Sequence, residues 1–385
     1  MLIYEYKVAG TKQQYAAIDE AVRITQFIRN KCVCHWMDQH GVSSNDLQCL
    51  CAVLAHEYAF ASLLNSQARQ VAADRAWSAI ARFYENCNNH KPGKKGYPQF
   101  QHNNRSVEYK TTGWKLDPDG KHILFTDGCK IGRLRLVGNK KQQVATFPVK
   151  QIKRVRLVKR ADGYYCQFAV KADRTVEHVS TGAQVGIDVG LKAFYTDSTG
   201  HMVANPRFLR KAEKKLKRLH RRLSRTQKKS QNRKKARQRL GKAYLKVQRQ
   251  REDFARKEAN ALVTSHDLIA YEDLRIANMV RNHALAKSIS DAAWGRFLHW
   301  VNYYGLMHEV PIVAIAPHFT SQQCSRCGRM VKKSLSERTH RCVHCGLVLD
   351  RDENAARNIL SKALRWLVGH GCTMGHTATG KPARL

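Results

Sequence analysis

Acidic side chains are scarce in this 385-residue sequence. Asp and Glu number 30 against 68 Lys and Arg, which leaves a formal net charge of +38. A surplus of one sign destabilises a compact chain through self-repulsion unless a polyanion neutralises it. Because each phosphate contact also releases counterions, nucleic acid is the partner that this composition predicts.

Other absences narrow the class of protein. No run of 18 or more apolar residues occurs, which argues against a transmembrane helix and against a membrane as the partner. The first ten residues lack the basic segment followed by an apolar one that is typical of a secretory signal. The 12 cysteines show no disulfide framework, so we expect a reducing, cytoplasmic environment. With 43% hydrophobic residues, the chain is long enough for two or three globular domains.

The first half of the chain changes character twice. Residues 1–10 alternate in part between apolar and polar side chains and predict a strand. Helical spacing then predicts three helices. The first begins at Thr11, and the other two cover roughly 45–58 and 65–87. After a break rich in Pro and Gly, strands are predicted at 122–126, 131–137, 152–159 and 164–170. We therefore predict a β-barrel or sandwich from residues 1–10 and 91–181, with the helical segment 11–90 inserted into it.

The second half begins with an apolar strand, Val185 to Gly190, and a hairpin at 194–203. Residues 207–262 predict a basic helical hairpin with a narrow apolar seam and a break near 230–232. The remaining predicted elements are a strand at 268–271, a helix at 291–304, a strand at 310–315 and a helix at 353–367. The tail, residues 371–385, is predicted to be disordered.

Four cysteines form two Cys-x-x-Cys pairs, Cys324 with Cys327 and Cys342 with Cys345, separated by fourteen residues. Two such pairs can supply four thiolates in the tetrahedral geometry that structural zinc prefers. Four thiolates leave no ligand position open, so one Zn²⁺ here would be structural rather than catalytic. The alternatives are reduced cysteines without metal, or a contribution from His340 or His344.

Three carboxylates predict a different metal site. Asp188 interrupts an apolar strand, where a charge is costly unless it is paired or binds metal. Glu272 ends another apolar strand, and Asp352 precedes a helix. Three such carboxylates can hold two Mg²⁺ or Mn²⁺ ions for phosphodiester hydrolysis. Plainer interpretations are a solvated strand end for Glu272 and a helix N-cap for Asp350 or Asp352, whereas Asp188 has the weakest alternative.

The basic hairpin is the predicted nucleic-acid surface. From Arg210 to Lys257 it carries 22 Lys or Arg and only 3 acidic residues. Like charges four residues apart destabilise a helix, and a phosphate backbone would relieve that repulsion. A solvated charged face is the alternative. The candidate contact residues are Lys214, Arg218, Arg222, Lys234 and Arg237.

Several stretches together resemble the TnpB (OrfB) family of transposon-encoded, RNA-guided DNA endonucleases, which are related to type V CRISPR effectors. The matching stretches are Gly186 to Lys192, Tyr271 to Leu274, Thr320 to Gly328, Cys342 to Gly346 and Asp350 to Ile359. Residues 65–70 and 96–100 match more loosely. In order along the chain, these stretches span nearly all of it.

The resemblance implies an α+β multidomain protein. A wedge-like β-barrel, 1–10 and 91–181, would carry the helical recognition domain at 11–90. A RuvC-like nuclease domain of RNase H fold would follow in two segments, 182–318 and 347–370, with a zinc ribbon, 319–346, inserted between them. The family pattern makes Asp188, Glu272 and Asp352 the catalytic residues, and so selects Asp352 over Asp350. It also places Ser66 and Gln70 in the segment that reads a short duplex motif beside the target.

The implied function is RNA-guided cleavage of double-stranded target DNA by two-metal hydrolysis. The implied partners are a transposon-derived guide RNA and the target DNA, and the implied location is the cytoplasm of a prokaryote, in association with the nucleoid. Two other functions use the same features. One is a transposase that joins DNA ends with the same acidic residues, and the other is an RNA-guided DNA binder or regulator that does not cut.

Overall fold

The computed structural model describes residues 1–138, 144–172, 175–334, 337–369 and 383–384, and divides the chain into two units, Met1–Asp173 and Arg174–Leu385. Within those described residues, no helix is both long and apolar enough to cross a membrane. Most of the predicted tail lies outside the described residues, although the backbone of Ala383–Arg384 forms a short strand.

The first unit starts with a strand and continues with helices, as the periodicity predicted. Its first elements are β1 (Leu2–Ala9), α1 (Lys12–Asp38), α2 (Ser44–Glu57), α3 (Ala59–Ser62) and α4 (Ser66–Asn88). The switch from strand to helix occurs at Thr11, whose hydroxyl accepts a hydrogen bond from the Gln14 N–H while the Gln14 side chain accepts one from the Thr11 N–H. Ser43 and Asp46 form the same capping box at the start of α2.

The strands that follow form one antiparallel sheet. They are β2 (Ser106–Tyr109), β3 (Trp114–Leu116), β4 (His122–Phe125), β5 (Gly132–Val137), β6 (Ile152–Arg160) and β7 (Gly163–Val170). The sheet order is β2-β6-β7-β1-β5-β4-β3, so the N-terminal strand lies in its centre. Because the two edge strands β2 and β3 do not pair with each other among the described residues, the predicted barrel is seen here as an open seven-stranded sheet. One continuous core joins this sheet to the helices.

Strand β2 is short and was not predicted, because it contains a charged residue in a buried position. Glu108 is 2% exposed and accepts hydrogen bonds from Arg75, Arg154 and Arg156. Burial alone would raise the pKa of Glu108, but the hydrogen bond from Arg154 and the charges of Arg156 and Arg75 lower it to about 2. A buried carboxylate with three cationic partners is a structural feature of this unit.

The second unit contains a six-stranded mixed sheet. Its strands are β8 (Gln184–Val189), β9 (Ala193–Asp197), β10 (Met202–Ala204), β11 (Leu268–Glu272), β12 (Ile312–Ile315) and, after the hairpin β13 (Thr339–Arg341) and β14 (Val348–Asp350), β15 (Ala383–Arg384). The order is β10-β9-β8-β11-β12-β15, in which β8, β11 and β12 run parallel. The carboxyl ends of these three strands therefore meet at one edge of the sheet.

Helices cover both faces of this sheet. They are α5 (Phe208–Ser224), α6 (Gln231–Thr264), α7 (Ile276–Met279), α8 (His283–Ala292), α9 (Trp294–His308) and α10 (Arg351–Gly369). Residues of α6 and α9 pack with Ile269 and Tyr271, whereas α10 packs with Leu268 and Ala270 on the opposite face. The alternation of side chains along β11 thus assigns each position to one of the two faces.

Two helical predictions need correction in this unit. The helix predicted at 291–304 starts at Trp294, because Ala293 adopts a left-handed conformation with φ of 57° and separates α8 from α9. Residues 276–292, for most of which no element was predicted, contain both α7 and α8. The predicted basic hairpin is present as α5 and α6, with its break at residues 225–230.

Candidate active site and metal centre

Asp188 and Glu272 lie side by side on parallel strands. Gly186 of β8 is in register with Ala270 of β11, and each carboxylate lies two positions further along its strand. Because side chains two positions apart share a face, both carboxylates project from the face on which α10 packs. The sheet therefore brings together the first two predicted catalytic residues at its carboxyl edge.

Asp352 comes from the first turn of α10, which crosses that same face. A Cβ atom placed on Gly190, two residues beyond Asp188, would lie 3.9 Å from the Oδ2 atom of Asp352. Asp350, in contrast, accepts a hydrogen bond from the Asp352 N–H over 2.8 Å and so caps the helix. The two aspartates thus have different surroundings, which supports Asp352 as the third site residue.

The close approach of α10 depends on Gly186. A Cβ atom at this position would lie 2.2 Å from the carbonyl oxygen of Ala356 and 2.7 Å from the backbone N of Leu360. The helix face that meets β8 is itself built from small residues, including Ala355 and Ala356. The missing side chain at 186 is therefore what allows a first-turn residue of α10 to reach Asp188.

The electrostatics of this cluster favour a bound cation. Burial raises the pKa of Asp188 well above its ordinary value, and the nearby carboxylates of Glu272 and Asp352 raise it further. Burial also raises the pKa of Glu272, against the hydrogen bond that it accepts from the Thr320 hydroxyl. A divalent ion between these groups would reverse both effects, because it stabilises the ionised forms.

The carboxylates of Asp188, Glu272 and Asp352 are more widely spaced than the ligands of a single compact metal site. Among the described residues, two sets have all their ligand atoms within 4.8 Å of one another. They are the four predicted cysteines and the group Asp117, Asp119 and His122. Two ions about 4 Å apart need only pairwise bridging by carboxylates, so wider spacing suits two metals better than one. Asp352 also has guanidinium neighbours, at 3.7 Å from Arg338 and 3.6 Å from Arg351.

The four cysteines do form a cluster. The Sγ atoms of Cys324 and Cys345 are 3.6 Å apart, and so are those of Cys327 and Cys342. Four sulfurs arranged tetrahedrally about zinc, with bonds of about 2.3 Å, would be separated by roughly 3.8 Å. The spacing therefore fits a zinc ribbon with four cysteine ligands, and a disulfide of about 2.05 Å does not match it.

Each Cys-x-x-Cys pair is held by the same backbone hydrogen bonds. The N–H of Gly328 bonds to the carbonyl of Cys324, and the N–H of Gly346 bonds to that of Cys342, both over 2.9 Å. Both glycines have φ near +70°, at 75° and 72°, which is the left-handed region that favours glycine. This explains why a glycine follows each pair. His340 is buried with its Nδ1 atom facing Lys333, and neither His340 nor His344 belongs to the cysteine cluster.

A hydrogen-bond network fastens the ribbon to the acidic cluster. From α10, the Asn358 amide donates to the carbonyls of Thr320 and Gln323, and the Asn354 amide donates to the carbonyl of Gln323 while accepting from the Ser325 N–H. The Thr320 hydroxyl in turn donates to Glu272. These residues were not among the predicted site residues. The sequence feature that indicates them is the pair Asn354 and Asn358, which lie four positions apart and are buried on α10.

The predicted nucleic-acid residues are accessible. Lys214, Arg218, Arg222, Lys234 and Arg237 are all exposed on α5 and α6, and none makes an ion pair with another described residue. On the first unit, Ser66 is exposed and Gln70 half-buried, one helical turn apart at the start of α4. These positions are available for contacts, and their partners stay predictions.

Comparison with known proteins gives the fold class. A complex titled "Cryo-EM structure of the Cas12f1-sgRNA-target DNA complex" contains a chain that matches 90% of this chain and 81% of its own length, with a TM-score of 0.55 and 13% identity. The mini-RNA-guided endonuclease CRISPR-Cas_phi3 matches 99% of this chain and 93% of its own length, with a TM-score of 0.55 and 8% identity. The chain therefore has the mixed α+β fold of Cas12 chains.

Family models and sequence relatives match parts of the chain. A model described as a probable transposase, OrfB_IS605, matches residues 167–283, and a Cas12f1-like TNB domain matches residues 294–359. A Streptomyces pristinaespiralis protein named "Putative RNA-guided DNA endonuclease" is 38% identical over 48% of this chain and 46% of its own length. InsQ of Escherichia coli, which carries the same description, is 27% identical over 69% of this chain and 68% of its own length. The chain spans about half the length of the first of these relatives, and these matches agree with its resemblance to the TnpB (OrfB) family.

Proposed function

We propose that this protein is an RNA-guided DNA endonuclease of an insertion sequence. The observation that carries the proposal is the meeting of Asp188, Glu272 and Asp352 on one face of the sheet in the second unit. The names of the relatives and the titles of the structural neighbours support the same activity. The second unit would then be a RuvC-like nuclease domain of RNase H fold with an inserted zinc ribbon.

Asp188, Glu272 and Asp352 are the residues that would hold two Mg²⁺ or Mn²⁺ ions. Oxygen ligands and net negative charge fit these hard cations. When bound, such ions supply an activated water and stabilise the leaving oxygen of an in-line displacement. The protein itself contributes position: β8 and β11 fix two carboxylates in register, and the packing of α10 on Gly186 fixes the third.

Cys324, Cys327, Cys342 and Cys345 would hold one structural Zn²⁺. Four thiolates complete the coordination shell, so the ion would take no part in cleavage. Its contribution would be to fold the ribbon whose base, through Thr320 and Asn358, contacts both Glu272 and α10. The ribbon would thereby help to hold the chain where it re-enters the nuclease domain.

The basic hairpin of α5 and α6 would contact the guide RNA paired with the target strand. A protein of this kind leaves sequence recognition to base pairing and reads only backbone shape and a short adjacent motif. The exposed cations from Lys214 to Arg237 suit backbone contacts, while Ser66 and Gln70 would lie in the segment that reads the adjacent motif. Double-stranded target DNA and a transposon-derived guide RNA are therefore the proposed partners.

Two other functions use parts of the same site. The first is a transposase, which is how the OrfB family model is described. Such a protein would use the same acidic residues to join DNA ends directly. RNA-independent strand transfer would identify that activity. A guided DNA binder or regulator that does not cut would have no need of three clustered carboxylates suited to two metal ions, which is why the endonuclease is preferred.

The test begins with the RNA that co-purifies with the protein. Sequencing that RNA identifies the guide segment, and a double-stranded DNA containing its complement beside a randomised flank serves as the substrate. We expect Mg²⁺-dependent cleavage of those DNAs that carry one short flanking motif, and loss of cleavage when the guide segment is scrambled. Cleavage that ignores the guide sequence, or a protein that carries no defined RNA, would contradict the proposal.

A further inference from the structure

A pocket of about 210 Å³ lies beside the acidic cluster in the second unit. Its lining includes Lys192, Asn205, Arg207, Arg210, Ser288 and Asp291. Since one water molecule occupies about 30 Å³ of the liquid, the pocket has room for a solvated group larger than a single ion. None of its lining residues belongs to either predicted metal site.

Three cationic residues line this pocket, and none is ion-paired within the described part of the chain. Lys192, Arg207 and Arg210 are exposed, and none forms an ion pair with another residue in the described part of the chain. Asp291 does not neutralise them, because its carboxylate accepts hydrogen bonds from the Leu209 and Arg210 N–H groups and from the Arg251 guanidinium. The pocket therefore keeps a surplus of positive charge.

The backbone at Arg207 is held in an unusual conformation. Arg207 has φ of 50° and ψ of 47°, in the left-handed region, immediately before α5 begins. A side chain other than glycine there costs on the order of 1 kcal/mol, and such strain is typical of functional sites. Arg207 is exposed and lines the pocket, so its charge is available to a ligand there.

The turn between β8 and β9 connects the acidic residues to the pocket. Gly190 lies against the Asp352 carboxylate, and Lys192 follows it two residues later in the turn between β8 and β9. Because two residues span at most about 7 Å between Cα atoms, the turn that lines the pocket starts next to the glycine that faces Asp352. A strand with one phosphodiester at the acidic cluster could therefore place a neighbouring phosphate in the pocket.

We propose that this pocket binds a backbone phosphate of the DNA strand that is cut. Lys192 and Arg210 would donate charge-assisted hydrogen bonds to the phosphate oxygens, Arg207 would add a third cation, and Ser288 would offer a hydroxyl. The contact would hold the strand in register with Asp188, Glu272 and Asp352 without reading its sequence. The proposal rests on the proposed function, because it assigns a substrate subsite to that nuclease centre.

The first test measures cleavage. Lys192→Ala, Arg210→Ala and Arg207→Gly are compared with wild type in single-turnover cleavage of guided target DNA with Mg²⁺. Arg207→Gly also relieves the left-handed backbone strain, and thermal unfolding of each variant separates a loss of cleavage from a loss of folding. We expect each variant to cleave about tenfold more slowly, as for the loss of one hydrogen bond to a charged group, with unchanged RNA-guided DNA binding. Lys287→Ala is the control, since Lys287 adjoins the pocket residue Ser288 but pairs with Glu213 at 2.6 Å.

The second test does not depend on cleavage. A short single-stranded DNA labelled with a fluorophore is titrated with each protein in Ca²⁺ at several salt concentrations. Each lost phosphate contact should reduce the slope of log affinity against log salt by about 0.7. Unchanged slopes and unchanged cleavage in the three pocket variants, or equal effects in Lys287→Ala, would overturn the proposal. If wild type does not cleave at all, the proposed function fails, but the slopes still test the pocket.

Discussion

Replacing Gly186 by alanine adds one methyl group at the point where α10 touches β8. The new Cβ atom would lie 2.2 Å from the carbonyl oxygen of Ala356, 2.7 Å from the N of Leu360 and 3.0 Å from the Cβ of Leu360. Two of these atoms belong to the backbone of a helix and cannot rotate away. Because ordinary contacts begin near 3.4 Å, α10 must move outward by about 1 Å.

That displacement should lower both the folding stability and the cleavage rate, by different amounts. Overpacking of this kind costs about 1–3 kcal/mol of folding stability, which corresponds to a fall in melting temperature of about 2–10 °C for a unit of this size. The movement also carries Asp352 away from Asp188 and Glu272. A misplacement of about 1 Å in a catalytic group can reduce the rate by roughly 100-fold. We therefore expect Gly186→Ala to lose far more activity than its stability loss explains.

The assay is single-turnover cleavage of guided DNA well below the melting temperature, together with thermal unfolding of each variant. Gly305→Ala is a matched overpacked control, since its Cβ would lie 2.3 Å from Cγ1 of Ile312, away from the acidic residues. Gly295→Ala is a neutral control, because its nearest contact, the Cδ1 atom of Ile276, is at 3.5 Å. Full cleavage activity in Gly186→Ala, or equal losses in Gly305→Ala, would refute the account of how α10 positions Asp352.

Three further predictions follow from the contacts of the site. Thr320→Val removes the hydroxyl that donates to Glu272, so we expect about 10–100-fold weaker activation in a Mg²⁺ titration of cleavage, and an unchanged titration would contradict the role of Thr320. Cys342→Ser should abolish the one zinc per chain that elemental analysis of wild type should find, and should lower the melting temperature, whereas wild type without zinc would disprove a zinc ribbon. The pKa of Asp188 is raised in the folded protein. With EDTA present, the contribution of Asp188 to folding stability is therefore complete below the unfolded pKa near 4. It is lost as the pH rises through the folded pKa. Asp188→Asn should therefore gain stability over wild type as the pH increases, and a difference that is independent of pH would rule this out.

The sequence predicted the elements of the site better than their mutual contacts. The apolar stretches around Asp188 and Glu272 predicted strands, and the structure contains both. The choice of Asp352 over Asp350 came only from family resemblance, because local chemistry allowed either residue to cap the helix. The structure adds a physical argument for that choice, since Asp350 accepts a hydrogen bond from the Asp352 N–H and the Asp352 carboxylate raises the pKa of Asp188 more than Asp350 does.

Features that depend on long-range contacts could not be predicted. Gly186 was part of a recognised motif, but its role requires knowing that α10, 165 or more positions later, crosses β8. Thr320 reads as an ordinary loop residue until its partner Glu272 is known. Glu108 in β2 is buried because three arginines from other elements of the first unit pair with it. Each of these is a packing or pairing fact that local periodicity does not encode.

The central claim is that Asp188, with Glu272 and Asp352, forms a metal-dependent nuclease centre. The most direct measurement compares wild type and Asp188→Ala, each with its co-purified RNA, for binding and for Mg²⁺-dependent cleavage of the same matched DNA. The account predicts that Asp188→Ala binds the DNA with wild-type affinity and does not cut either strand. Cleavage by Asp188→Ala at the wild-type rate, with the same dependence on Mg²⁺, would contradict it.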